Sequence, residues 1–134
     1  MALQCLYATS MTGMGLDSAA AFVVAEAQEV PSEEAQAYCL ALAKSTLEKR
    51  AWADALIAEK LEHWALDRVT LIDRLILELA LVEMVNFENV PLKVSISEAI
   101  EIAKRYSTDE SPGFINGILD AVYHDILDGK LPGD

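Results

Sequence analysis

No lysine or arginine occurs before Lys44; all ten basic residues lie from that position onward. The same opening third carries Asp17, Glu26, Glu29, Glu33 and Glu34, and the whole sequence has a formal charge of −12. A surface of this sign repels phosphate at long range, so contact with nucleic acid would need a local basic patch or a partner. Cysteine is almost as scarce. Cys5 and Cys39 are the two, both set in apolar helical patterns, where a core thiol is the expected role rather than a disulfide. A reducing, cytoplasmic setting fits that usage. Histidine is limited to His63 and His124, sixty-one positions apart and without neighbours at metal-ligand spacing. His63 is expected at a helix end, where an imidazole meets the negative pole of the dipole. Hydrophobic residues reach 53%, yet no run approaches the roughly 18 residues needed to cross a bilayer. The opening residues show no arginine- and serine-rich or signal-like pattern. No glycine-rich phosphate loop follows a strand, and no serine or cysteine sits in a nucleophile elbow. The expectation is therefore a non-enzyme without cofactor or metal, whose many carboxylates chiefly keep exposed helix faces solvated.

What is present is helical periodicity over nearly all of the 134 residues, enough chain for one domain with its own core. Leu3, Leu6 and Tyr7 mark a short first helix ending near Thr12-Gly13-Met14-Gly15. Asp17 or Ser18 is expected to cap a second helix with Ala21, Phe22, Val24 and Ala25 inward, broken by Val30-Pro31. Ser32 then reads as an N-cap, with Glu33 and Glu34 at the positive dipole end and a stripe of Ala35, Tyr38, Cys39 and Leu42. A fourth helix, about 53 to 64, should bury Leu56, Ile57, Leu61 and Trp64. The longest is expected from about 68 to 85, with Leu71, Ile72, Leu75, Leu79 and Val82 on one face and Asp73, Arg74 and Glu78 beside it. Pro91 stands at the entry of a sixth helix, with Val94, Ile96, Ala99, Ile100 and Ala103 in the core. On that helix Glu101 and Lys104 fall three apart, a pairing that contributes about 0.2–0.5 kcal/mol. Ser111-Pro112 reads as a capping hydroxyl followed by a first-turn proline, opening a last helix lined by Phe114, Ile118, Leu119 and Val122. Gly129, Pro132 and Gly133 mark a frayed tail. The expected fold is an all-α bundle of seven helices in a single domain over residues 1–134.

Several short motifs occur in a telling order. Ala2-Leu3-Gln4-Cys5-Leu6-Tyr7 opens the chain, and Trp64-Ala65-Leu66-Asp67-Arg68 leads to Ile72-Asp73-Arg74 and Leu79-Ala80 through Glu83-Met84. Val90-Pro91 precedes Val94, Ile96, Glu98-Ala99 and Ala103-Lys104, and Phe114-Ile115-Asn116-Gly117-Ile118-Leu119-Asp120 follows. Together they resemble the transcription antitermination factor NusB family from Ala2 to about Tyr123, with residues 13–50 matching in helical pattern only.

The resemblance implies a compact NusB-like bundle of two packed helical halves. It also implies association with NusE, a small-subunit ribosomal protein, and joint binding of boxA-type single-stranded RNA within the RNA polymerase antitermination complex, notably on ribosomal RNA operons. RNA would lie across the first helix and the start of the last. By resemblance this selects Tyr7, Glu110, Ser111, Phe114 and Asn116, with Lys93 and Lys104 as basic neighbours. Asp73 and Arg74 would face NusE. Each motif also has a packing reading: Gly117 would let two helices approach, Asn116 could bond a neighbouring backbone, and Tyr7 could be a core aromatic.

Family members carry an arginine-rich stretch ahead of the Ala-Leu-Gln-x-Leu-Tyr motif, whereas this sequence begins at the motif. They also often place a basic residue before the phenylalanine, where Pro112-Gly113 stands here. Weak independent RNA binding is the expectation, since each lost phosphate contact lowers the salt slope on single strands by about 0.7. A second reading is a NusB-like protein-interaction module with little RNA binding of its own. A third is the NusB-like domain that precedes the catalytic part of an rRNA cytosine methyltransferase. A homodimer stays open.

Overall fold

The computed structural model describes residues 1–61 and 66–131. Among these, seven α-helices and one short 3-10 turn account for the regular structure. The expectations for His63, for Trp64 and for the end of the tail lie outside the described residues.

The helices fall into two units, Met1–Glu48 and Lys49–Asp134. In the first, α1 (Ala2–Thr12), α2 (Leu16–Glu26) and α3 (Glu33–Glu48) each touch the other two. Gly13 ends α1 in the left-handed conformation at φ 75°, which glycine adopts without steric penalty, and its N–H donates to Thr9 O. Ser32 caps α3 as expected, its Oγ accepting from the Ala35 amide at 3.1 Å. The inward faces of α2 and α3 differ from expectation. Ala19 is the buried residue of α2 while Phe22 is 57% exposed, and α3 buries Leu42, Ala43 and Thr46 while Ala35 and Tyr38 face out. Alanine-rich helices give the period little contrast, so the size of Phe22 and Tyr38 does not mark the inward face. Nor do Asp17 or Ser18 cap α2: Gly15 occupies that position without a side-chain bond, and Asp17 lies in the first turn. Both cysteines are free thiols, and burial pushes the Cys5 thiol above its ordinary range.

In the second unit α5 (Leu71–Asn86) is the central helix, in contact with α4 (Arg50–Lys60), α6 (Leu92–Tyr106) and α7 (Ser111–Leu127). It starts later than expected because Thr70 caps it, Oγ1 accepting from the Asp73 amide at 3.3 Å, after the 3-10 turn Leu66–Arg68. Every residue from Leu75 to Val82 is buried, so the helix is enclosed on all sides rather than along one stripe. On α6, Ser95 takes the inward position expected of Val94, which is 46% exposed; the Ser95 hydroxyl donates to Glu83 Oε1 at 2.7 Å. Lys60 of α4 and Asp125 of α7 form an ion pair between those helices. No described helix is long and apolar enough to cross a membrane.

Candidate nucleic-acid interface

The residues drawn from the last helix gather where α6 passes into α7. Helix α6 ends as the Ser107 amide donates to Ala103 O, and a tight turn follows in which the Ser111 amide donates to Thr108 O at 3.1 Å. Two hydroxyls of this turn converge on one carboxylate from α5, and a third joins them. Ser107 Oγ donates to Asp73 Oδ1 at 2.6 Å and Ser111 Oγ to Asp73 Oδ2 at 2.9 Å, while Thr108 Oγ1 meets Ser111 Oγ at 2.9 Å. Hydrogen bonds to an ionised acceptor are the stronger kind, so the junction is fixed to the central helix.

The arrangement places two of the candidate residues away from the surface. Ser111 is 2% exposed, and its hydroxyl serves Asp73 rather than capping α7 or facing a ligand. Asp73 is 7% exposed, with both oxygens engaged, so its carboxylate is not presented at the surface. Beside a period of apolar residues an aspartate reads as a flank; only serines thirty-four and thirty-eight positions away make its burial affordable.

Glu110 and Asn116 are exposed, and Phe114 is half-buried with its amide donating to Glu110 O at 3.2 Å. Two positions apart on a helix, Phe114 and Asn116 point to nearly opposite flanks, with Gly113 and Gly117 on the outward face between them. A Cβ added at Gly117 would meet nothing within 4 Å, so this glycine is not the close helix contact expected of it. Lys104 and Arg105 stand exposed in the last turn of α6, next to the junction, Lys104 Nζ lying 3.3 Å from Glu101. Arg105, Ser107 and Thr108 join the junction without a distinctive sequence signal. A short polar run between two helices signals only a turn.

The remaining candidates lie elsewhere. Lys93 Nζ stands 5.9 Å from the centre of the Tyr123 ring, nine residues along α7 from Phe114, or about 13 Å at helical rise. Lys93 therefore belongs to the opposite end of the α6–α7 pair. Tyr7 belongs to the first unit, on α1, and is 40% exposed.

Arg74 is engaged within the second unit. Its Nη2 lies 2.6 Å from Asp54 Oδ2 and its Nε 3.4 Å from Glu78 Oε2, while Arg50 Nε approaches Glu78 Oε1 at 3.1 Å. Glu78 is fully buried. Burial, together with a hydrogen bond to Asp54, pushes its carboxyl up to about 8 against the pull of the two guanidinium groups. Asp54 moves the other way. Burial opposes its charge, but hydrogen bonds from Glu78 and Arg74 outweigh that and hold it below the usual carboxylate range. The two acids are thus shifted in opposite directions between the two arginines.

Seven helices, with hydroxyls fixed to the central α5 and exposed cations at the α6–α7 junction, make this an all-α helical bundle. The chain belongs to the NusB family, whose family model matches residues 1–124. The NusB antitermination protein of Chloroherpeton thalassium is 39% identical over 126 residues, covering 94% of this chain and 59% of that protein. That of Salinibacter ruber is 46% identical over 91 residues, or 67% of this chain and 57% of that protein. The chain thus spans under two thirds of the length of these relatives. Among solved structures, T. maritima NusB superposes with a TM-score of 0.81 at 31% identity over 92% of this chain and 86% of its own. A structure of the antitermination factors NusB and NusE in complex with dsRNA has the same fold, with a TM-score of 0.81 at 22% identity over 92% of this chain and 90% of that one.

Proposed function

We propose that this chain is a NusB-type transcription antitermination factor. With NusE it holds boxA-type single-stranded RNA and supports read-through by RNA polymerase in the cytoplasm, notably in ribosomal RNA operons. Membership of the NusB family over residues 1–124 carries the reading. The α6–α7 junction supports it: Phe114 is accessible for stacking, Asn116 for bonding base edges, and Lys104 and Arg105 for the backbone. In this reading Asp73 and Ser111 act by holding the junction in place, and contact with NusE falls to groups around them. The charge of −12 favours a division of labour in which NusE supplies much of the attraction for phosphate.

The test is a titration of labelled boxA RNA with the chain alone and with added NusE, at several salt concentrations. Weak binding that NusE tightens markedly is expected. Tight, salt-insensitive binding by the isolated chain would contradict the shared site. NusE binding with no RNA retained by the pair would favour the second reading, a protein-interaction module.

A further inference from the structure

In the second unit, burial along α4 is graded. Leu56 and Ile57, in its second half, are buried, and Lys60 at its end is ion-paired with Asp125 of α7. In the first half Ala53 is the buried residue, Trp52 is half-buried and Ala51 faces solvent. A methyl group and part of one ring remove little apolar area from water, so burial alone holds this half weakly. Polar and charged contacts to α5 supply the rest. Lys49 Nζ donates to Asn86 Oδ1 at 3.0 Å, Arg50 Nε to Glu78 Oε1 at 3.1 Å and Arg74 Nη2 to Asp54 Oδ2 at 2.6 Å. Arg50 Nη2 is buried without a hydrogen bond among the described residues, a donor that only solvent would satisfy.

Glu78 lies fully buried at the centre of these contacts. While protonated it donates a hydrogen bond to Asp54 across the helix pair; once ionised it sets a second carboxylate against Asp54 where water is withheld. The charged groups bearing on Glu78 are Arg50 and Asp54 from α4 and Arg74 from its own helix. Helix α6 meets α5 through Ser95 at Glu83 and Ser107 at Asp73, and α7 meets it through Ser111 at Asp73. The two guanidinium groups favour the ionised acid, yet burial outweighs them.

We propose that the first half of α4, Arg50 to Asp54, is a pH-gated strap, lying on α5 while Glu78 is protonated and lifting from it when Glu78 ionises. Leu56, Ile57 and the Lys60–Asp125 pair hold the second half in place as the pivot. Lifting hydrates the Glu78 carboxylate, separates it from Asp54 and frees Arg50 Nη2 to meet water. The lifted turns fray, because so short a helical piece is marginal in water once its packing is gone. The buried run of α5 stays packed, so the loss of stability with rising pH is released locally, before the bundle unfolds. The α6–α7 junction takes no part, and the proposal does not depend on the RNA reading.

The test follows Trp52, which stands inside the strap and is the sole tryptophan in a Trp64→Phe variant of the full chain. As pH rises its emission should move to longer wavelength with a midpoint at about 8, while far-UV circular dichroism retains the signal of the other helices. In the parent chain, hydrogen exchange corrected for the intrinsic rate should show protection over residues 53–55 falling about tenfold through the same midpoint, with protection over 75–82 unchanged. Glu78→Gln keeps a donor for Asp54 without the titration and should abolish both changes. Asp54→Asn removes the opposing carboxylate and should move the midpoint to lower pH. If Trp64→Phe does not fold, exchange in the parent chain decides; if Glu78→Gln does not, Asp54→Asn decides. A wavelength shift that survives Glu78→Gln, an unmoved midpoint in folded Asp54→Asn or constant protection over 53–55 would each overturn the proposal. So would loss of protection over both segments together, which would mean that the whole unit opens.

Discussion

Ser111 Oγ donates to Asp73 Oδ2 at 2.9 Å, joining the first turn of α7 to the first turn of α5 across thirty-eight positions of sequence. With Ser107 on the other carboxylate oxygen, one buried acid fixes the whole junction that carries Glu110, Phe114 and Asn116. The consequence is that two residues expected at a surface instead set the geometry of the surface.

Removing that bond should be felt in stability. Ser111→Ala takes away a hydrogen bond to a charged group and should cost about 1.5–3 kcal/mol. Urea unfolding would show a lower midpoint with an unchanged slope. A midpoint equal to that of the parent would mean the bond is not formed in solution.

The Glu78 carboxyl sets a pH dependence of definite sign. Its folded value, about 8, lies above the ordinary 4.5, so its contribution is complete below about 4.5 and is lost as pH rises through 8. Asp54, held below its ordinary 3.8, contributes above that value and loses its contribution as pH falls further. Stability should therefore decline from mildly acidic to mildly alkaline pH. Glu78→Gln, which keeps a donor for Asp54 without the titration, should flatten that decline in chemical denaturation. The same slope in the variant would assign the effect to another group.

Packing on α5 and α6 separates true core from apparent core. Leu81 is fully buried, and Leu81→Ala should cost about 2–5 kcal/mol by lost transfer energy and cavity formation. Val94 is 46% exposed, and Val94→Ala should change stability by no more than about 0.5 kcal/mol. Comparable losses at the two positions would place Val94 inside after all.

Cations near the junction should matter for RNA, and distant ones should not. In the presence of NusE, Arg105→Ala should lower the slope of log affinity against log salt by about 0.7. Lys93→Ala, beside Tyr123 at the other end of the pair, should leave that slope unchanged. The opposite pattern would move the RNA path toward the start of α6.

The legibility of these features in sequence follows their range. Ser32, Gly13 and Pro91 act on the backbone within a few residues, and each marks a helix boundary as read, whereas α2 ends at Glu26, ahead of the break expected at Val30-Pro31. Thr70 acts equally locally, but the apolar period running back to Arg68 concealed it. Phe22 and Val94 face outward because their helices offer several apolar faces, and the neighbouring helices select one. The Arg50–Glu78–Arg74–Asp54 cluster left no signal, since its members are spread over twenty-eight positions on two helices.

The sequence by itself determined seven helices, the breaks at Gly13, Ser32 and Pro91, the acidic character of the opening third and kinship with NusB, because period, proline, capping and charge are properties of adjacent residues. Which faces turn inward was decided only by tertiary structure. So were the burial of Asp73 and Ser111, the opposite shifts of Glu78 and Asp54, and the separation of Lys93 from Phe114. A polar group can be buried only if its partner arrives from another element, and no local pattern records that arrival.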